Sequence, residues 1–110
     1  MLDKKKSPSE DRKSPMSKEE IIEESKNLTP QWEVVDNHHI TRQFAFKNYQ
    51  EALSFTNEIG RMAEEEKHHP DILLSYGAVT ITLCTHSVNG LSKKDFSFAS
   101  KIDADFSSYK

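Results

Sequence analysis

An α+β fold of one domain, a four-stranded antiparallel sheet with helices packed on one of its faces, follows from three observations on the sequence. Two pairs of strand-like runs are each broken by a short turn signal, which makes the members of a pair antiparallel. Between the pairs lies an amphipathic helix carrying Ala52, Phe55, Ile59, Met62 and Ala63 at helical spacing. Near either end of the chain a serine is followed three residues later by an acid, at Ser17–Glu20 and Ser92–Asp95, and both pairs mark helix starts. The predicted order is therefore α-β-β-α-β-β-α. One buried sheet face covered by helices satisfies the layer rule, and 110 residues suit a single domain.

The elements can be justified in turn. Ser17-Lys18-Glu19-Glu20 caps a short helix that should turn Ile21 and Ile22 inward and stop near Leu28-Thr29-Pro30. Trp32 to Val35 reads as a strand, and Asp36-Asn37 as a turn. From Ile40 to Phe46, alternation places Ile40, Phe44 and Phe46 on one face and Thr41, Gln43 and Ala45 on the other. Arg42 interrupts the apolar face, which predicts a position near a sheet edge. Asn48 with Glu51 repeats the capping pattern ahead of the central helix, whose outer side carries Glu58, Arg61 and Glu65. That helix must end before Pro70, because the residue preceding a proline is pushed out of the α region. Ile72 to Tyr76 and Val79 to Thr85 form the second strand pair around Gly77-Ala78, with Val79, Ile81 and Leu83 sharing a face. After Asn89-Gly90, the last helix should face inward with Phe96, Ala99, Ile102 and Phe106.

Composition limits the class of molecule. Hydrophobic residues make up 35% and charged residues 30%, a polar balance, but the apolar positions are periodic rather than scattered. No apolar run approaches the ~20 residues that cross a bilayer, and Met1 to Pro8 lack the apolar stretch of a secretory leader. A net charge of -3 argues against nucleic-acid binding. The single cysteine, Cys84, excludes an internal disulfide framework and a cysteine-rich zinc site; it reads as a small packing residue rather than a nucleophile. Residues 1–16 hold five basic and three acidic side chains with little to bury. They are expected to be a flexible tail ahead of a domain spanning 17–110. A cytoplasmic location is the default expectation.

Chemistry concentrates in the histidines. His38 and His39 stand at the first turn and read as exposed strand-start residues. His68-His69-Pro70 occupies a helix-to-strand junction, a surface loop held by rigid elements. Glu64 lies four residues before His68, so an extended helix would bring carboxylate and imidazole within reach. His86 ends the last strand run and Asp95 opens the last helix; antiparallel pairing can bring both beside the histidine pair. By residue type alone three readings stay open: acid–base catalysis near neutral pH, metal binding by three or so ligands, or a structural role, since a helix C-terminus favours His and a strand-end His is often just exposed.

The pattern Glu64-x3-His68-His69-Pro70, with an aromatic at Tyr76, His86 and Asp95, resembles the signature of the pterin-4a-carbinolamine dehydratases. Trp32, Thr41-Arg42-x-Phe44-x-Phe46, Phe55, Ala63-Glu64, Thr85-His86, Gly90-Leu91-Ser92-x-x-Asp95 and Ala99-x-x-Ile102 extend the resemblance over about residues 17–106. Ile72 stands where members often carry Trp. The resemblance implies the same element order and a 4a-hydroxytetrahydrobiopterin dehydratase. Such an enzyme converts the 4a-hydroxytetrahydropterin left by an aromatic amino-acid hydroxylase to quinonoid dihydropterin and water, as part of tetrahydrobiopterin recycling. It implies His68, His69 and His86 as the catalytic trio and Glu64, Pro70 and Asp95 as substrate-binding residues, with no metal or organic cofactor. Tyr76 is expected to pack in the sheet. A homodimer or homotetramer is implied too, in line with the small core a chain this short can bury. The alternative function in such a family is non-catalytic: a pterin-binding accessory, or a protein-partner module like a transcription-factor dimerisation cofactor.

Overall fold

The computed structural model describes residues 14–109. Its elements run α1 (Lys18–Ser25), β1 (Glu33–Val35), β2 (His39–Ala45), α2 (Tyr49–Glu66), β3 (Asp71–Ser75), β4 (Ala78–Leu83), a 3-10 turn (His86–Val88) and α3 (Lys93–Ser107). The α-β-β-α-β-β-α order and the four-stranded antiparallel sheet are as predicted. The strands lie in the order β1-β2-β4-β3, so β4 is inserted between β2 and β3 and pairs with both.

Register decides which side chains are buried. Ile40 pairs with Leu83, Arg42 with Ile81 and Phe44 with Val79. This puts Ile40, Phe44, Val79, Ile81 and Leu83, all fully buried, on the face under the helices. The opposite face carries Thr41, Gln43, Thr80 and Thr82, and the Thr41 and Thr82 hydroxyls meet across the strands at 3.1 Å. Helix α2 lays Ala52, Phe55, Ile59 and Ala63 on the apolar face, and α3 adds Phe96, Phe98, Ala99 and Ile102. Phe44, Phe55 and Phe106 form an aromatic centre with ring centroids 4.9 to 5.9 Å apart.

Local chemistry sets the ends of these elements. Ser17 and Ser92 both form the reciprocal cap with the acid three residues on, and the Asn48 side chain accepts from the Glu51 N–H. Asp36 and Asn37 both adopt positive φ, as the tight turns that match strand twist require. The His38 N–H closes that turn on the Val35 carbonyl at 2.9 Å.

Several expectations are corrected. Helix α1 stops at Ser25, and only Ile21 is buried; Ile22 is 53% exposed, because neighbours on a helix lie about 100° apart and a two-turn helix offers the core a single line of contact. Strand β4 ends at Leu83, short of Thr85. Phe98, absent from the predicted inner face, is 1% exposed. Of the expected tail, residues 1–13 lie outside the described residues; at its inner end Met16 is 4% exposed and its N–H donates to the Leu91 carbonyl at 2.9 Å. Beside it Pro15 packs on Gly90, so closely that a Cβ there would lie 2.5 Å from the Pro15 Cβ. Gly90→Ala is therefore expected to displace this segment and cost about 1–3 kcal/mol, measurable as a lower urea midpoint. An unchanged midpoint would mean the segment shifts freely.

Arg42 is not at an edge. It lies on the inner strand β2, where its guanidinium carbon sits 4.3 Å above the centre of the Phe44 ring and its Nη1 donates to Asp103 of α3 at 2.8 Å. The same carboxylate accepts from the Trp32 indole N–H at 2.9 Å. One acid on α3 thus neutralises a cation in the apolar layer and pins the segment before β1. Removing it in Asp103→Ala leaves a nearly buried guanidinium without its carboxylate, and an expected loss of about 3 kcal/mol should appear in chemical denaturation.

Candidate active site

Two turns and a helix start build the candidate site. Helix α2 terminates at Glu66 because Lys67 takes a left-handed conformation, φ 55°, and its N–H turns back to the Ala63 carbonyl. That reversal carries His68 off the helix surface and into the molecule, where it is 9% exposed. The next residue, His69, is sent outward, since Pro70 keeps it extended; its side chain is 62% exposed. On the other wall, β4 runs out at Leu83, and the following turn presents His86 to solvent.

His68, His69 and His86 line one surface depression of about 240 Å³, together with Lys67, Cys84, Thr85, Ser87 and Lys94. Histidines separated by up to 18 positions in the sequence are therefore brought to one place. A larger depression of about 540 Å³ lies at the opposite reach of the chain, lined by Phe46, Lys47, Glu51, Phe106 and Tyr109. It holds a lysine and a glutamate but no histidine, so the assignment to the smaller one rests on chemistry rather than size.

Behind the depression stands a buried carboxylate. Asp95 is fully buried. Its Oδ1 lies 2.6 Å from His68 Nε2, and its Oδ2 accepts from the Thr85 hydroxyl at 2.7 Å and from the Ser92 N–H at 3.0 Å. The Thr85 and Ser92 hydroxyls are themselves 2.7 Å apart. An ionised carboxylate only accepts hydrogen bonds, so His68 donates from Nε2. Asp95 thus does two tasks with its two oxygens: one caps α3, the other fixes the tautomer and plane of an imidazole. The ring of Phe98 packs 6.3 Å from that of His68, centre to centre.

The carboxylate partners differ from the sequence-based pairing. Glu64 bonds to His69, Oε2 to Nε2 at 2.7 Å, not to His68. The i,i+4 geometry that would join Glu64 to His68 is lost when the helix stops at Glu66. Glu64, Pro70 and Asp95 stand behind or beside the histidines rather than in the wall of the depression. Tyr76 does not pack in the sheet; it is 70% exposed and stacks on Tyr49 at 6.5 Å. His38 and His39 are half-buried and bonded to each other, not free strand-start residues.

Cys84 borders the depression, and its thiol is pushed up from the ordinary range by burial, then by the nearby Asp95 and Asp71 carboxylates. A thiol held protonated is a poor nucleophile. Among the described residues, no group of three or more His, Cys, Asp or Glu side chains is placed to hold a metal ion. Lys67 and Lys94 were not foreseen as wall residues; a lysine next to the histidine pair and another next to Asp95 were the only signals in the sequence.

Comparison with known proteins identifies the family. The family model described as pterin 4 alpha carbinolamine dehydratase matches residues 14–104. A protein of Alkaliphilus metalliredigens, provisionally named pterin-4-alpha-carbinolamine dehydratase, is 54% identical over 89 residues, covering 81% of this chain and 80% of its own. The crystal structure of a transcriptional coactivator/pterin dehydratase from Brucella melitensis superposes with a TM-score of 0.77 at 35% identity, covering 83% of this chain and 97% of its own. A pterin dehydratase-like protein identified as a RuBisCO assembly factor in the alpha-carboxysome superposes with a TM-score of 0.58 at 25% identity, over 67% of this chain and 87% of its own. On its sequence and on its fold, the chain belongs to the pterin 4 alpha carbinolamine dehydratase family.

Proposed function

We propose that this protein is a dehydratase that converts a 4a-hydroxytetrahydropterin to quinonoid dihydropterin and water by histidine acid–base catalysis. The observation that carries the reading is the convergence of His68, His69 and His86 on one depression. The reaction asks for little else. The 4a C–O bond breaks as the N5 lone pair forms the new C=N bond. The hydroxyl leaves as water after taking one proton, and N5 gives up its own proton to a base. Two imidazoles of suitable protonation supply both transfers, and the proton gained at one step is returned at the other. His69 and His86, both exposed, are placed to meet the pterin and its leaving hydroxyl. His68, its Nε2 held by Asp95, serves a second face. Glu64 orients His69, and Pro70 keeps the His69 backbone extended. The pterin of tetrahydrobiopterin recycling, supplied by an aromatic amino-acid hydroxylase, is the substrate to test first. Measured with enzymatically generated 4a-hydroxytetrahydropterin, the formation of quinonoid dihydropterin should be accelerated well above the spontaneous rate. A folded protein that gives only the spontaneous rate would sink the proposal.

One feature favours a second, non-catalytic reading. Leu73 and Tyr76, on and beside the edge strand β3, are 66% and 70% exposed, a surface suited to a protein partner or a second copy of the chain. A binding module would keep this surface and show no dehydration.

A further inference from the structure

We infer that His38 is a positioning residue for the loop that carries His86. The inference rests on the reading of His86 as a catalytic group. The loop runs from Thr85 to Gly90 and is closed at its neck by two backbone bonds, Thr85 N–H to the Gly90 carbonyl at 2.7 Å and Gly90 N–H to the Thr85 carbonyl at 3.3 Å. Val88 anchors its inner side, 6% exposed, while His86, Ser87 and Asn89 form an exposed rim.

That rim is held from the first hairpin. The Nε2 of His38 lies 3.1 Å from Oδ1 of Asn89, across 51 positions of sequence. The Asn89 oxygen accepts, so His38 donates from Nε2, and in the neutral ring its lone pair is then on Nδ1. Nδ1 of His39 lies 3.0 Å from that lone pair and supplies the donor. A directed chain results, His39 to His38 to Asn89. It ends on the backbone of the candidate catalytic residue, because the Asn89 N–H donates to the His86 carbonyl at 3.1 Å. Four non-glycine residues have positive φ among the described residues, and three of them, Asp36, Asn37 and Asn89, shape the two turns that meet in this contact. Proton transfer depends steeply on placement, and a shift of about 1 Å in a reacting group can cost about a hundredfold in rate.

The test uses the full chain with His38→Ala, His38→Gln and Asn89→Gly. Glutamine keeps an amide donor near the position of Nε2, and glycine keeps the left-handed backbone while deleting the acceptor. Amide hydrogen exchange is read by NMR alongside kcat and KM. For His38→Ala and Asn89→Gly, exchange at Val88 and Asn89 should rise about tenfold, a local opening, with the β2 and β4 amides unchanged. The kcat should fall about tenfold with KM within about twofold, and His38→Gln should recover most of both. Unchanged loop exchange in His38→Ala overturns the inference, whatever the activity. So does a uniform rise across the sheet, which would mark His38 as a general structural residue. Faster loop exchange in a protein that never dehydrates pterin would support the tether and remove the dehydratase reading instead.

Discussion

His69→Ala is expected to lower the dehydration rate by about a hundredfold to ten-thousandfold, the range removed with a positioned acid–base group, while leaving stability within about 0.5 kcal/mol of the parent. The second half of that expectation comes from exposure. The His69 side chain is 62% exposed and its one bonded partner, Glu64, is 78% exposed, so little is buried and little is left unpaired when the ring goes. Rates measured against quinonoid dihydropterin formation, with a urea titration on the same preparation, separate the two quantities. A rate within threefold of the parent (roughly half the free energy of a tenfold effect) would exclude His69 from the proton transfers. The role would then fall on His68 and His86.

Asp95→Ala should give a different balance, a large loss of stability together with a loss of rate. The carboxylate is fully buried and receives bonds from His68, the Thr85 hydroxyl and the Ser92 N–H. Deleting it leaves three buried polar groups without their acceptor and removes the cap of α3. At about 1–3 kcal/mol for each buried group left unsatisfied, a net cost of about 4 kcal/mol is expected, a large share of a small domain's stability. A cost under about 1 kcal/mol would show that water or a neighbour replaces the carboxylate. Asp95→Asn distinguishes cap from tautomer. Its carbonyl can still accept from Ser92 and Thr85, but its NH2 then faces His68 Nε2, which must become the acceptor and move the ring proton to Nδ1. The variant is expected to fold, recover most of the stability and still dehydrate poorly, with the reversed tautomer visible in the imidazole nitrogen shifts of His68.

These two residues show what is local in this protein and what is not. The caps at Ser17, Asn48 and Ser92, the helical stripe from Ala52 to Ala63 and the alternation in β2 and β4 are legible because each is decided within a few residues, by hydrogen-bond geometry or by the periods of helix and strand. Element order and the antiparallel pairing follow from them, and the family pattern of His68, His69, His86 and Asp95 is visible in the sequence itself.

Partnership is another matter. One left-handed residue, Lys67, ends α2 a turn early and exchanges the partners of two adjacent histidines, so that Glu64 meets His69 and Asp95 meets His68. Arg42 looked like an edge residue because a charge on an apolar strand face has no local partner; its partner, Asp103, is 61 positions away on another helix. Met16 and Pro15 looked like tail for the same reason, and find their contacts at Leu91 and Gly90. The sequence by itself determined which segments become helix and strand and which residue types reach the site. Only the tertiary structure decided which charge answers which and which imidazole faces in. Periodicity is a property of neighbours along the chain, whereas neutralising a buried polar group depends on whichever atoms the fold brings within about 3 Å.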